Sequence, residues 1–394
     1  MIIDGFTYSA VSAGIRKKDR LDLGLIYCEN PAVAGAVFTT SLVKAAPVLL
    51  GMEMIAAGKI QAILVNSGIA NACTGAAGMD AALKSAKLAA AALDIDEGLV
   101  QVSSTGVIGE QLPVETIGGA MDELVKGLSP LAYDQVARAI MTTDTVPKTA
   151  NRVCLVGGSE VKLFGIAKGA GMIMPDMATM LCFVMTDADI AAPVLQAHLS
   201  MAVKQSFNRI TIDGDTSTND TVLAMSSCRA GNPEINSLDT EESRIIGETL
   251  TDLLKDLALQ IVSDGEGSTK LVTIRVEGAR SEDEAELAAR TIANSALVKT
   301  AFFGEDANWG RIIAALGRSG IDFDPDKVSI AFDDVLMVRD GLGLGVDVEA
   351  EATRILQQKI FSVTVDLKIG PAAGEVYTCD LSIDYVKINA DYRT

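Results

Sequence analysis

The alternation of two kinds of apolar segment is the sequence feature that most constrains the fold. Short runs rich in Val, Ile and Leu are typical of buried strands, and Ala-rich stretches with apolar residues every three or four positions indicate helices. The predicted strands are 60–65, 99–104, 161–167, 179–186, 210–212 and 271–277, and the predicted helices are 79–94, 114–127, 132–141, 191–206, 241–262 and 281–299. Helices that cover sheets give an α/β or α+β protein.

The length and a change of composition suggest more than one domain. A chain of 394 residues corresponds to two or three domains of roughly 150 residues each. After the strand 271–277 the sequence changes to a charged helical stretch and then to a strand-rich tail. We therefore place a domain boundary between 275 and 300.

The net charge indicates which partners this protein can bind, and the cysteines indicate the cellular compartment. A net charge of −19 repels nucleic acid and anionic lipid surfaces, so we expect neither nucleic acid nor a membrane as a partner. The uncharged stretch 60–79 contains Gln61, Asn66, Asn71 and three glycines, which makes it a poor transmembrane span. The six cysteines form no C-x-x-C pair, and the first residues do not resemble a signal peptide, so a cytoplasmic location is predicted.

A single histidine limits the chemistry. His198 lies within the predicted helix 191–206, where a side chain on the helix face is the ordinary interpretation. Sites with several His ligands are excluded, and any Ser-His or Cys-His nucleophile pair would have to use this one residue. We predict no metal site and no cofactor, and an enzyme of this composition must find its base elsewhere.

The acidic loop after the strand 210–212 has two interpretations. Asp213 and Asp215 fit a polar turn that satisfies its own backbone, which is the ordinary interpretation, and the alternative is a Mg²⁺-dependent phosphotransferase that forms an aspartyl-phosphate. A calcium loop is excluded because Thr218 and Ala224 occupy the positions that require Gly and Glu. No glycine-rich segment has the order of a phosphate-binding loop.

Thr179 stands at the start of a continuous apolar run, directly after a loop that contains two glycines and Pro175. A threonine at this place is either an ordinary strand residue or a nucleophile. After cleavage of the preceding peptide bond, its own α-amino group, with a reference pKa near 8, can take the hydroxyl proton. The residues alone leave both interpretations open.

A series of segments in this chain closely resembles the ornithine acetyltransferases, also called bifunctional glutamate N-acetyltransferases. The resemblance covers nearly the whole chain. It is carried by the segments 66–75 (NSGIANACTG), 104–109 (STGVIG), 141–145 (MTTDT), 168–181, 206–220, 266–270 (EGSTK), 308–311 (NWGR) and 388–394 (INADYRT).

This resemblance implies a particular fold and processing. The fold is a layered α-β-β-α-like sandwich with a smaller C-terminal α/β domain at about 280–385. The precursor is expected to cut itself between Ala178 and Thr179. The resulting α chain (1–178) and β chain (179–394) stay associated, and two copies of each form an α2β2 assembly.

The resemblance also implies an activity in arginine biosynthesis. Thr179 would take the acetyl group from N2-acetylornithine, release ornithine and pass the acetyl group to glutamate, giving N-acetylglutamate by a ping-pong scheme. Acetyl-CoA is a further candidate donor. Thr105 and Gly106 match the oxyanion hole. The matching substrate contacts are Thr142, Lys168, Thr179, Glu266, Asn389 and Thr394.

Overall fold

The computed structural model describes residues 1–16, 18–174 and 180–391. Its strands are β1 Phe6–Val11, β2 Leu23–Phe38, β3 Lys59–Asn66, β4 Val100–Ser104, β5 Lys148–Val156, β6 Ser159–Lys168, β7 Leu181–Thr186, β8 Ile210–Thr211, β9 Thr221–Ser226, β10 Leu271–Ala279, β11 Ser329–Phe332, β12 Val335–Arg339, β13 Leu342–Gly343, β14 Ile360–Asp366 and β15 Ala372–Cys379. Its α-helices are α1 Ala46–Met54, α2 Gly75–Leu93, α3 Val114–Lys126, α4 Tyr133–Ala139, α5 Ala192–Gln205, α6 Glu241–Ser263, α7 Glu282–Ala293, α8 Ala296–Phe303, α9 Trp309–Leu316, α10 Val346–Leu356 and α11 Ile383–Ala390.

The chain divides into two compact units, each with its own sheet. The first unit holds most residues up to Ile261, and the second holds those from Val262 onward together with Ile173 and Arg209–Gly214. The C-terminal domain predicted at about 280–385 falls inside the second unit. Within the described residues, no helix is both long and apolar enough to cross a membrane.

The sheet of the first unit is mixed and has the strand order β4-β3-β2-β9-β7-β6-β5, with β1 paired to β2. The pairs β3–β4 and β7–β9 are parallel, and the other pairs are antiparallel. Because side chains alternate along a strand, Leu25 packs into the cluster formed with α1, α2 and α3, whereas Ile26 packs into the cluster formed with α4. Helices on a mixed sheet confirm the expected α/β class.

The sheet of the second unit has the order β13-β12-β11-β14-β10-β15-β8. Strand β10 shows the predicted alternation, since Val272, Ile274 and Val276 are fully buried. They belong to a core that also contains small side chains of α7, such as Ala285 and Ala289.

Most of the predicted elements are present, and two differences have clear physical causes. The stretch 281–299 is two helices, α7 and α8, because Ser295 between them has an extended backbone (φ −76°, ψ 111°). Strand β2 was not predicted. Its apolar run is interrupted near Glu29, where the pairing with β3 shifts register between Tyr27 and Ala32.

Candidate active site

Lys168 is the last residue of β6, and its ammonium group is at the centre of a buried polar site. The side chain is only 3% exposed. Its Nζ donates hydrogen bonds to Thr142 Oγ1 at 2.9 Å and to Thr105 Oγ1 at 3.4 Å. Lys168 also pairs with Leu181 across the β6–β7 ladder. The structure therefore brings three of the predicted residues together beside the start of β7.

A buried carboxylate, that of Asp144, holds this lysine. Asp144 Oδ2 lies 3.9 Å from Lys168 Nζ, and Oδ1 lies 2.8 Å from Lys148 Nζ. The same carboxylate accepts hydrogen bonds from the Gly169 amide at 2.7 Å and the Thr142 amide at 2.9 Å. Lys148 is completely buried. Asp144 thus connects the segment of Thr142 to the end of β6. It holds in place both Thr142, which carries a hydroxyl group of the site, and Lys168, which carries the ammonium group.

The electrostatics of this cluster favour the charged form of Asp144. Burial alone would raise the pKa of this carboxyl group, but the ammonium groups of Lys168 and Lys148 and the amide donors outweigh burial and lower its pKa below the usual range. The folded protein therefore favours the ionised carboxylate of Asp144. A buried charge of this kind requires close partners, which the two lysines supply.

The turn that carries Thr105 and Gly106 is fixed by the backbone of residues 66–69. The Thr105 amide donates to Asn66 O at 3.0 Å, and the Val107 amide donates to Gly68 O at 3.1 Å. Gly106 has φ +131°, and a Cβ atom at this position would lie 2.2 Å from the carbonyl carbon of Gly68. Only glycine can occupy this turn, because any side chain would collide with backbone atoms.

Buried amide side chains hold the same turn from behind. Asn219 Nδ2 donates to Ser104 O at 2.8 Å and to Ala70 O at 2.6 Å, and Ser104 Oγ donates to Asn66 Oδ1 at 2.6 Å. Through these bonds, residues of two other segments that carry the family resemblance, 66–75 and 206–220, support the turn. They support its position, and they leave the Thr105 hydroxyl facing Lys168.

A second buried acid, Asp220, binds the residue that follows the predicted nucleophile in the sequence. Asp220 Oδ1 accepts a hydrogen bond from the Met180 amide at 3.0 Å, and Met180 follows Thr179 directly. Burial raises the pKa of Asp220 well above its usual value, and this effect exceeds the stabilisation of the carboxylate by the Met180 amide and by Lys168.

The second unit brings together another two of the predicted residues. Asn389, on α11, donates from Nδ2 to Glu266 Oε2 at 2.7 Å. The turn that carries Glu266 is held against α11, because Ser382 Oγ donates to Gly267 O at 2.6 Å. Glu266 is 8% exposed and presents a carboxylate of the kind that binds an ammonium group.

Other predicted residues have structural roles or lie outside the described residues. Asp213 Oδ1 accepts a hydrogen bond from the Ile173 amide at 2.9 Å, and Oδ2 accepts one from the Tyr385 hydroxyl at 3.4 Å, so this carboxylate joins segments that are distant in the sequence. His198 is buried on α5, with Nε2 2.7 Å from Ser243 Oγ. Ala178, Thr179 and Thr394 fall outside the described residues, so their predicted roles stay predictions.

The sequence did not reveal three buried charged or acidic residues that support the site. Asp144, Lys148 and Asp220 were not predicted as site residues, although Asp144 lies within the segment 141–145 that carries the resemblance. The four-residue spacing from Asp144 to Lys148 is the one available signal, and in most chains this spacing marks an exposed pair.

A cleft of about 400 Å³ in the first unit reaches this cluster. Its lining is two arginines, two apolar side chains and two members of the cluster: Arg20, Arg138, Leu21, Met141, Thr142 and Asp144. A volume of this order is typical of small-molecule sites.

Comparison with known proteins identifies one family. The profile of the ArgJ family matches residues 7–394. The chain is 57% identical to the arginine biosynthesis bifunctional protein ArgJ of Desulfotalea psychrophila and 53% identical to that of Geobacter sulfurreducens, in each case over the full length of both chains. The crystal structure of the protein of that name from Bacillus halodurans matches with a TM-score of 0.51 and 42% identity, over 53% of this chain and 97% of the solved chain.

Proposed function

This chain belongs to the ArgJ family, and from that premise we propose that it moves an acetyl group from N2-acetylornithine to glutamate by way of Thr179. It is an acyltransferase of arginine biosynthesis that acts on small molecules. The observation that carries the proposal is the buried ammonium group of Lys168, held between the hydroxyl groups of Thr142 and Thr105 beside the strand that follows Thr179.

The proposed reaction has two half-reactions at one site. The Thr179 hydroxyl oxygen attacks the acetyl carbon of N2-acetylornithine, the C–N bond breaks, and ornithine leaves with the proton that the Thr179 amine took from the hydroxyl. Glutamate then attacks the acetyl ester through its α-amine, and N-acetylglutamate leaves as the threonine is regenerated. Acetyl-CoA is a second candidate donor for the first half-reaction.

The described residues supply charges and donors that suit these steps. Thr105 and Gly106 would stabilise the oxyanion of each tetrahedral intermediate, and the rigid turn keeps them in place without reorganisation. Lys168 and Thr142 would bind a substrate carboxylate, and Glu266 with Asn389 would bind an ammonium group, as the charges of these side chains require. The reaction needs no cofactor.

The nucleophile requires prior cleavage between Ala178 and Thr179, because only a free α-amine can act as its base. The solved Bacillus halodurans chain is about half as long as this chain, which supports a precursor that is cut into two pieces. We further propose that the two pieces stay together, that two copies of each assemble as α2β2, and that the enzyme works in the cytoplasm.

Intact mass under denaturing conditions, combined with an acetyl-transfer assay, tests the proposal. The wild-type protein should give two fragments that meet at Ala178–Thr179 and should acetylate glutamate from N2-acetylornithine. Thr179→Ala should remain one chain of 41.2 kDa without transfer activity. Asp213→Asn is the matched control and should be cut and active. An uncut wild-type chain that still transfers acetyl would refute Thr179 as the nucleophile.

A further inference from the structure

Arg20 is a cation in the cleft that has no carboxylate partner among the described residues. Its Nη2 donates one hydrogen bond, to Met141 O at 2.5 Å, and it forms no ion pair in the described part of the chain. The other arginine of the cleft, Arg138, is engaged with Asp134 at 2.8 Å. A guanidinium carries five N–H donors, so most of the donors of Arg20 are available to a ligand.

The cleft connects this guanidinium to the lysine site. Arg20 binds the carbonyl of Met141, and the next residue, Thr142, accepts the hydrogen bond from Lys168. Among the described residues that line the cleft, Asp144 is the only carboxylate, and Lys148 and Lys168 neutralise it, so it does not repel an anion. Two cationic groups are therefore close to one lining residue: Lys168, which donates to Thr142 from behind the lining, and Arg20, which lines the cleft itself.

We infer that Arg20 binds the side-chain carboxylate of the acceptor and so selects glutamate in the second half-reaction. This inference rests on the proposed function. The α-carboxylate is common to N2-acetylornithine, ornithine and glutamate, so one receptor, Lys168, serves all of them. The side-chain carboxylate belongs to glutamate alone among the three, and it needs a cation of its own. A guanidinium binds a carboxylate in two-pronged geometry and gives both affinity and selectivity.

Steady-state and single-turnover kinetics of Arg20→Gln test this assignment. The KM for glutamate should rise about 10- to 100-fold, as expected for the loss of a charge-assisted contact. The rate at which N2-acetylornithine acetylates the enzyme and releases ornithine should change less than about threefold. Arg20→Lys should recover part of the affinity, because it restores the charge without the planar geometry.

Two further measurements separate this role from a structural one. Wild-type enzyme should prefer glutamate to glutamine as acceptor, and Arg20→Gln should lose most of that preference. The matched control is Arg152→Gln on β5, where the guanidinium is likewise partly exposed but is paired with Asp256 at 3.2 Å. This variant should keep both the KM and the preference.

The outcomes are distinct. An unchanged glutamate KM in Arg20→Gln, or an equal loss in both half-reactions, would overturn the inference while leaving the proposed function in place. A wild-type protein that transfers no acetyl from N2-acetylornithine would overturn the proposed function and this inference with it.

Discussion

Replacement of Asp144 by Asn should destabilise the first unit by about 3–5 kcal/mol, the usual cost of removing one partner of a buried ion pair. The substitution keeps the shape of the side chain but removes its charge. It leaves the ammonium group of Lys148, which is fully buried, without the carboxylate that lies 2.8 Å away, and it also removes the counter-charge of Lys168. Transfer activity should fall as well, since Lys168 loses the group that positions it.

Urea denaturation of the two proteins, followed by fluorescence or circular dichroism, measures this effect. Because the pKa of Asp144 is lowered in the folded protein, its contribution to stability is complete above the unfolded carboxyl pKa, near 4, and is lost as the pH falls below that value. The difference in stability between wild type and Asp144→Asn should therefore be full at pH 7 and should shrink as the pH falls below 4.

A surface pair with the same spacing provides the control. Asp134 and Arg138 also lie 2.8 Å apart at i and i+4, but both side chains are more than half exposed. Asp134→Asn should cost no more than about 0.5 kcal/mol, because water screens such pairs. Equal losses for Asp144→Asn and Asp134→Asn, or a difference that does not narrow in acid, would refute the reasoning that burial makes the Asp144 charge essential.

Two substitutions test the turn at 105–106. Thr105→Val preserves the volume of the side chain but removes its hydroxyl, so kcat for acetyl transfer should fall about 10²- to 10³-fold with little change in the thermal midpoint; a kcat close to that of wild type would contradict the oxyanion role. Gly106→Ala would place Cβ 2.2 Å from the Gly68 carbonyl carbon, so we expect a large loss of stability or of soluble protein. Gly119→Ala on α3, where a Cβ has open space, should be neutral or stabilising by about 0.5–1 kcal/mol in the same thermal assay; similar losses in both alanine variants would contradict the steric argument.

The sequence predicted elements better than it predicted contacts between them. The helix α6 was evident from apolar residues such as Leu250, Leu254 and Leu257, and β10 from its strict alternation, because these periodicities follow directly from local geometry. The strand order of the two sheets could not be predicted, since no local pattern specifies which distant strands pair.

In the site, too, the sequence identified individual residues but not the buried contacts between them. Lys168, Thr142 and Thr105 were identified through resemblance to a family, and the structure brings their polar groups together. Gly106, identified in the same way, follows Thr105 in its turn. Asp144 and Lys148 were not identified, because a charged pair in a sequence gives no sign that it is buried. Only the fold removes water from this pair and converts an ordinary spacing into a strong interaction.

The strand order of the first sheet determines how the protein can refold after the proposed cleavage. Strands β7 and β9, which follow the proposed cleavage point, lie between β2 and β6, which precede it, and each of the ladders β2–β9 and β6–β7 contains six residue pairs. The precursor folds as a single chain, in which these strands are tethered. Once the bond is cut, the same sheet can be rebuilt only by an encounter of two molecules, so its recovery after unfolding depends on concentration and slows on dilution. Cleavage would thus change folding from a first-order to a second-order process, and the mature enzyme would persist because its unfolding is slow rather than because it readily refolds.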